Sequence, residues 1–414
     1  MTAYVTKIKT KIPYTNKHIE IDAQGKTIIL TGGNGCGKTA LLKLLQTKLN
    51  EKLIDKKNKT VAELENIVNA LRSDISTKSP TDANYDRRTS TLNDNLALLE
   101  DAKNPILELN NTAEFIEKYK DKSSVLLMFD AMRESKIIKP ISVSSIEALR
   151  DKDKIASKGK HNTSSLFEEF LVSNIAKQAF SESKKISFDP TEADRISMWF
   201  FKLENDLKEL FEDNSLEVKF YSESFSFKIH QKDKEPFTFQ TLSSGYSSIM
   251  SVYAELFTKI SLSSINPEDL SGIIIIDEID AHLHVSLQKK ILKFLTKSFP
   301  QIQFIVSTHS PFVVSSIEDV VIYDLSKQQQ VENLSLYSYD SVLEALFGVL
   351  PISKHLQSIV ESISSLLKQK PIDINALECV LKTLPNDIEG MDPESEYFIK
   401  TAKLALHKNK VRPS

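Results

Sequence analysis

The rhythm of hydrophobic and polar positions changes several times along the chain, and each change predicts an element. AYVTKIKTKI and HIEIDA alternate, and KTIILT is a short apolar run ending at a cluster of glycines, so residues 1–31 read as strands. ALLKLLQTKLNEKL then places leucines at helical spacing, which gives strand, glycine loop and helix in that order. From about residue 55 to 122 the chain turns polar. Within that stretch Val61, Leu64, Val68, Leu71 and Ile75 follow a 3-4-3-4 spacing, STKSPTDANYD has the composition of a turn, and Leu92, Leu96 and Leu99 share one face of a returning helix. The pattern predicts an inserted helical hairpin, either a short coiled coil or an ordinary amphipathic pair.

SSVLLMFDAM near 123–132 predicts a return to the sheet. Residues 145–213 read as helices, with Trp199, Phe200, Phe201, Leu203, Leu207 and Leu210 on one apolar face; helical spacing beside leucines favours core over a base-stacking platform. VKFYSESFSFKIH (218–230) alternates like a hairpin. SGIIIIDEID, QKKILKFLTKSF and IQFIVSTHS read as buried strand, helix and buried strand, and such runs indicate a mostly parallel sheet covered on both faces. Residues 340–414 read as helices with a basic tail. The fold class is α/β, divided into 1–54, an insertion at 55–122, a return strand, helical lobe and hairpin at 123–235, a second part of the core at 236–330, and a helical region at 331–414.

Composition narrows the classes. Apolar residues make up 41% and charged residues 26% of the 414 residues, as in a globular protein with a sizeable core. The longest purely aliphatic run, Ile273 to Ile276, is far short of the roughly 20 residues of a membrane span. MTAYVTKIKT offers no apolar signal segment, so a cytoplasmic protein without membrane contact is expected. The two cysteines, Cys36 and Cys379, exclude a disulfide framework and a four-cysteine zinc site, and a net charge of −3 excludes a histone-like binder. Of ten glycines, four fall together: Gly32, Gly33, Gly35 and Gly37.

That cluster carries the chemistry. Gly32 to Thr39, GGNGCGKT, fits the phosphate-binding loop G-x-x-x-x-G-K-[ST], and the flanking strand and helix supply its context. Backbone N–H groups of Gly32, Asn34, Gly35, Cys36, Gly37 and Ala40, together with the helix N-terminus, present a positive field to phosphates. Lys38 would reach the β- and γ-phosphates from a solvent-facing position, and the Thr39 hydroxyl would ligate Mg²⁺. Cys36 reads as a filler of a variable loop position. Asp277 and Glu278 close the aliphatic strand where a nucleotide-binding sheet faces its phosphates, Asp277 to hold Mg²⁺ through water and Glu278 to orient or deprotonate the attacking water.

Two further segments make the pattern specific. Leu242-Ser243-Ser244-Gly245, opening a helix, resembles the signature of ABC-type ATPases, and Ser307-Thr308-His309-Ser310-Pro311 resembles their switch-histidine segment. With GGNGCGKTALL and IDEIDAHLH, the variant is similar to the SMC, Rad50, RecF and OLD-family group. The resemblance covers roughly 1–50 and 236–320. It implies an ATPase head with ATP and Mg²⁺ as cofactors, and a homodimer or higher oligomer in which ATP is sandwiched. Ser243, Ser244 and Gly245 of one copy would close over the γ-phosphate held by the other, His309 would sense that phosphate, and the Asp280-to-His284 turn, with His282 and His284, would lie at the seam. Tyr246 and Val285 depart from the commoner Glu or Gln and Pro, and the expected glutamine-loop region, Leu127 to Arg133, contains no Gln.

After Pro311 the chain lacks the glutamate turn and D-x-D strand of OLD nucleases; Asp319 and Asp324 flank VVIY without that pattern, so no nuclease activity of its own is expected. A short-armed ATPase with a helical tail resembles the stand-alone ATPase subunits of bacterial anti-phage systems such as Septu. That resemblance implies a separate effector, an HNH-type nuclease among the candidates, docked on the C-terminal helices. A RecF-like repair ATPase acting on DNA and an ATP-bound scaffold with little turnover stand as alternatives.

Overall fold

The computed structural model describes residues 4–411 apart from 56–58, 78–81, 83, 134–136, 159–162, 264–268, 332–333, 335–338, 348–352, 370 and 386–392. Two units, 1–337 and 338–414, are distinguished.

The first unit opens with β1 (Val5–Lys11), β2 (His18–Asp22) and β3 (Thr27–Thr31), followed by α1 (Lys38–Leu49). The insertion is α2 (Val61–Ser76) and α3 (Tyr85–Lys103); then come β4 (Leu107–Leu109), α4 (Thr112–Lys120) and β5 (Ser124–Phe129). The helical lobe contains α5 (Ile146–Lys158), α6 (Phe167–Glu182), α7 (Pro190–Phe211), the hairpin β6 (Glu217–Tyr221) and β7 (Ser226–His230), and α8 (Ser244–Ser263). The chain closes the unit with β8 (Ser271–Ile276), α9 (Val285–Gln288), α10 (Ile291–Ser298), β9 (Ile302–Ser307), α11 (Pro311–Val314), β10 (Val320–Asp324) and β11 (Gln329–Val331).

The main sheet has the order β11-β10-β3-β9-β8-β5, with β10, β3, β9, β8 and β5 parallel and β11 antiparallel on the edge. Every residue of β3, β8 and β9 is buried, which is why these strands are aliphatic runs rather than alternating ones. Gly272 in β8 is required by a close approach: its φ is +144° and a Cβ there would lie 2.1 Å from the Val125 carbonyl of β5. A second, antiparallel sheet β2-β1-β4 is stapled to the first by buried Gln303 of β9. Gln303 accepts the Val5 N–H at 2.8 Å and donates to the carbonyls of Val5 and Lys26, each at 2.9 Å. Leu41, Leu42, Leu45 and Leu49 of α1 fill the space between them.

In the insertion, Thr60 and Glu63 form a capping box that starts α2, and Leu64 and Val68 are buried against α3. Residues 107–122 are not part of the hairpin, contrary to the expected span of 55–122. β4 pairs with β1, and Phe115 of α4 is fully buried with its ring centroid 5.1 Å from that of Tyr4. A three-residue strand and a helix with one buried residue carry too little periodicity to be seen in a polar stretch. Trp199, Leu203, Leu207 and Leu210 lie in the lobe core, whereas Phe201 is 69% exposed, because its position on α7 faces outward.

In the second unit, α12 (Tyr339–Val342) is followed by α13 (Lys354–Lys368), α14 (Ile374–Lys382) and α15 (Pro393–Val411). Ile359, Ile363, Leu377, Ile399 and Ala402 form its core. No helix among the described residues is long and apolar enough to cross a membrane.

Candidate nucleotide site

Parallel β3, β9, β8 and β10 all end at one edge of the main sheet, and the loops leaving them converge there, the usual location of ligands in such sheets. An open cleft of about 360 Å³ is lined by Asn34, Gly35, Gly37, Lys38, Thr39 and Ala40, by Glu278 and His309, and by Pro13, Tyr14 and Thr15. Gly32, Cys36 and Asp277 are buried and not part of this lining, and Ser243 and Ser244 are exposed and also outside it.

The glycine loop is shaped by Gly37, whose φ of +100° and a would-be Cβ at 2.4 Å from Ile12 Cγ2 admit no side chain. Among the described residues, the backbone N–H groups of Asn34, Gly35 and Gly37 have no hydrogen-bond partner in the protein. Donors presented this way next to the N-terminus of α1 fit phosphate oxygens. The Gly33 N–H is held by Ser326 Oγ at 2.9 Å, and buried Asp324 caps that turn by accepting the N–H of Ser326 at 2.8 Å. Asp324 is therefore a brace for the loop.

Lys38 corrects one expectation. Its side chain is 6% exposed, not solvent-facing: Nζ donates to the carbonyls of Gly32 at 2.9 Å and Gly33 at 3.1 Å, and lies 3.7 Å from Cys36 Sγ. Carbonyls left inside a tight loop are acceptors that the loop's own ammonium satisfies.

The carboxylate turn is held by one hydroxyl. Ser307 Oγ accepts the Glu278 N–H at 2.8 Å and donates to Asp277 Oδ1 at 2.5 Å, so the end of β9 fixes both acids at the end of β8. Glu278 has a left-handed φ of 45°, a conformation that turns its side chain away from the strand path. Thr308 Oγ1 donates to Asp280 Oδ1 at 2.5 Å, tying the switch segment to the same turn. His309 shares the cleft lining with Lys38 and Glu278. Partial burial and the nearby Lys38 charge lower its pKa below the ordinary 6.5, with Asp280, Glu278 and Asp277 opposing.

Thr39, Asp277 and Glu278 offer only hard oxygen donors, a set that suits Mg²⁺ completed by water and phosphate oxygens. Among the described residues there is no cluster of three His, Cys, Asp or Glu that would form a metal cage of its own. At the other end of the signature, Gly245 is buried where α8 begins; a Cβ there would lie 2.8 Å from Leu287 Cδ1 and 3.7 Å from the His282 carbonyl. The signature thus abuts the Asp280-to-His284 turn rather than the cleft of its own chain. His284 caps α9 by accepting the Ser286 N–H at 3.5 Å, a structural use of that histidine.

Sequence reasoning did not identify Arg133, Ser326 or the Pro13-Tyr14-Thr15 turn. Arg133 acts on backbone carbonyls, which leave no sequence pattern. Tyr14 had a readable signal, an aromatic in a Pro-Tyr-Thr-Asn turn between two strands; it is fully exposed with φ 62°.

Residues 28–315, more than half of the chain, match the family model described as "AAA domain, putative AbiEii toxin, Type IV TA system". The chain belongs to this AAA-domain family. It is 44% identical over 92 residues to a retron Ec83 probable ATPase of Escherichia coli, covering 22% of this chain and 17% of that protein. It is 26% identical over 165 residues to a Septu protein PtuA of Bacillus thuringiensis, covering 36% of this chain and 41% of that one. The chain thus spans less than half the length of these relatives. Among solved structures, an SMC head bound to the C-terminal winged-helix domain of ScpA aligns with 78% of this chain and 94% of that one, at 14% identity and a TM-score of 0.39. The AAA-domain chain resembles PtuA over part of its length, and its sheet is mixed, mostly parallel and flanked by helices.

Proposed function

We propose that this AAA-domain protein is an ATP-driven switch that assembles head to tail around ATP and controls a separate effector in anti-phage defence. The observation that carries the reading is the single cleft in which the glycine loop with Lys38 and Thr39 faces Glu278 and His309, while Ser243 and Ser244 stand exposed outside it. A signature that does not reach its own cleft is free to close over the γ-phosphate of another copy.

In this reading the N–H groups of Asn34, Gly35 and Gly37 receive phosphate oxygens, and Lys38 leaves the carbonyls of Gly32 and Gly33 for the β- and γ-phosphates. Tyr14 faces the base. Thr39 and Asp277 would hold Mg²⁺, which when bound would supply positive charge against the phosphates. Glu278 orients and deprotonates the attacking water, and His309, neutral near pH 7, donates a hydrogen bond toward the γ-phosphate. A signature residue at the start of α8 brings a helix N-terminus to the same oxygens from the second copy. Hydrolysis then removes the group that holds the copies together.

The relatives named as retron ATPase and PtuA support the defence assignment, and 338–414, which forms a unit of its own, is the proposed effector dock. The test is phosphate release with and without DNA. Wild type is expected to release phosphate, and Glu278→Gln to cut release to a small residual rate while accumulating an ATP-bound dimer on size-exclusion light scattering. A wild type that releases no phosphate under either condition rejects the hydrolysing switch. Affinity purification from the host should retain a stoichiometric nuclease; DNA alone would point to a repair ATPase.

A further inference from the structure

The loop that leaves β5 carries a buried guanidinium where the related ATPases were expected to offer a glutamine. Arg133 is 9% exposed. Its Nη1 donates to the carbonyls of Asp277 at 2.8 Å and Asp130 at 3.3 Å, and its Nη2 to the carbonyls of Glu278 and Ile279, each at 3.2 Å. Three consecutive carbonyls of the acidic turn are therefore gathered by one planar cation, and a fourth bond anchors that cation to its own loop. Only an arginine has the donor fork for this arrangement. Nε–H is buried with no partner among the described residues.

We infer that Arg133 is a positioning residue for hydrolysis: it holds the Asp277–Ile279 backbone so that the Glu278 carboxylate points into the nucleotide cleft. The inference rests on the ATPase reading above. Its physical basis is a division of labour around an unfavourable backbone conformation. Glu278 is a non-glycine residue at φ 45°, a region that L-residues avoid. Ser307 holds the N–H side of this residue, and the Ala281 N–H reaches its carbonyl at 2.8 Å. The carbonyls of Asp277 and Ile279 project at the end of the sheet, and Arg133 is the group that receives them. Burial opposes the cation and lowers its pKa to about 10, while the charges of Asp280, Asp277 and Glu278 favour it, so the guanidinium stays protonated at neutral pH. Arg133 touches no reacting atom. Its effect passes through the direction of the Glu278 side chain, and an error of about 1 Å in such a group lowers turnover on the order of 100-fold.

The test compares Arg133→Lys and Arg133→Met with wild type for kcat, KM and the affinity of a fluorescent ATP analogue, each also in a Glu278→Gln background. Lysine keeps the charge but is a point donor that cannot span three carbonyls. The expected result is a fall in kcat of about 10- to 100-fold in both variants, with analogue affinity within about threefold of wild type. In the Glu278→Gln background the same substitutions should lower the residual rate no further, because the side chain they position has already lost its function. A fully active Arg133→Lys, or losses that multiply with Glu278→Gln, overturns the inference. Circular dichroism and melting curves identify a variant that has merely unfolded, and Arg133→Lys is the measurement that decides if Arg133→Met does not fold. A wild type without turnover would reject the ATPase reading itself, an outcome distinct from active Arg133 variants.

Discussion

Removing the Ser307 hydroxyl should damage both the stability and the chemistry of the head, in amounts that follow from its two hydrogen bonds. Ser307 is fully buried; its Oγ accepts the Glu278 N–H and donates to an Asp277 carboxylate that is itself 3% exposed. In Ser307→Ala the amide loses its acceptor and the carboxylate loses a donor. Each such buried loss costs about 1–3 kcal/mol, and since Glu278 is only partly buried the sum is about 2–4 kcal/mol. At roughly 2 °C per kcal/mol for a unit of this size, the melting temperature without nucleotide should fall by about 4–8 °C. Released from Ser307, the Glu278 backbone relaxes toward ordinary dihedrals and its carboxylate leaves the cleft, so kcat should fall about 10- to 100-fold. The glycine loop is untouched, and ATP affinity should change little. Differential scanning calorimetry, isothermal titration with ATP and continuous phosphate release measure the three quantities. Ser307→Thr, which keeps the oxygen, should recover much of the kcat even if its extra methyl lowers the melting temperature. A Ser307→Ala protein that melts and hydrolyses like wild type would refute the reasoning, because the turn would then be held without this hydroxyl.

Three other outcomes are expected. Gly37→Ala forces a side chain onto a φ of +100° and into Ile12 Cγ2, and should weaken ATP binding by at least about tenfold, about 1.4 kcal/mol, in a titration. Lys38→Ala should abolish ATP binding and also lower the melting temperature without nucleotide, since the ammonium satisfies two loop carbonyls; an unchanged melt would contradict the buried placement. His309 has a pKa held below 6.5, so the folded protein binds its proton less readily than the unfolded chain does. Its contribution to stability is therefore complete above about pH 6.5 and is lost as pH falls through the folded pKa. Between pH 8 and 6.5 kcat should stay flat on this account, with an acid limb below that range that His309→Gln removes.

Much of the architecture was legible because the sequence and the sheet make the same demand. β3, β8 and β9 are buried on both faces, so they can be recognised as apolar runs without alternation, interrupted in β9 by Gln303, and the motifs that follow them inherit a known position. The hairpin α2–α3 was legible for the same reason in helical form. β4 and α4 were not, since three strand residues and one buried phenylalanine leave no period to read. Phe201 was assigned to the core from its neighbours, yet at this position on α7 it faces outward. The loss of information is greatest where side chains serve backbone groups. Lys38, Ser307, Ser326 and Arg133 all act on carbonyls or amides, and an amide has no identity in a sequence. Three of those four residues lay in or beside segments that had been singled out, but their bonds became visible only with the turns in place.

The most direct test of the central claim, an ATP switch completed by a second copy, is a mixing experiment. Lys38→Ala disables the glycine loop and Ser244→Arg blocks the exposed start of α8, and each protein alone should release no phosphate. In a mixed dimer, the intact loop of one copy meets the intact signature of the other. Phosphate release should therefore return on mixing and rise with the fraction of mixed dimers. If the two variants stay inactive at every ratio while native mass spectrometry shows that mixed dimers have formed, the signature does not act across copies and the account is wrong.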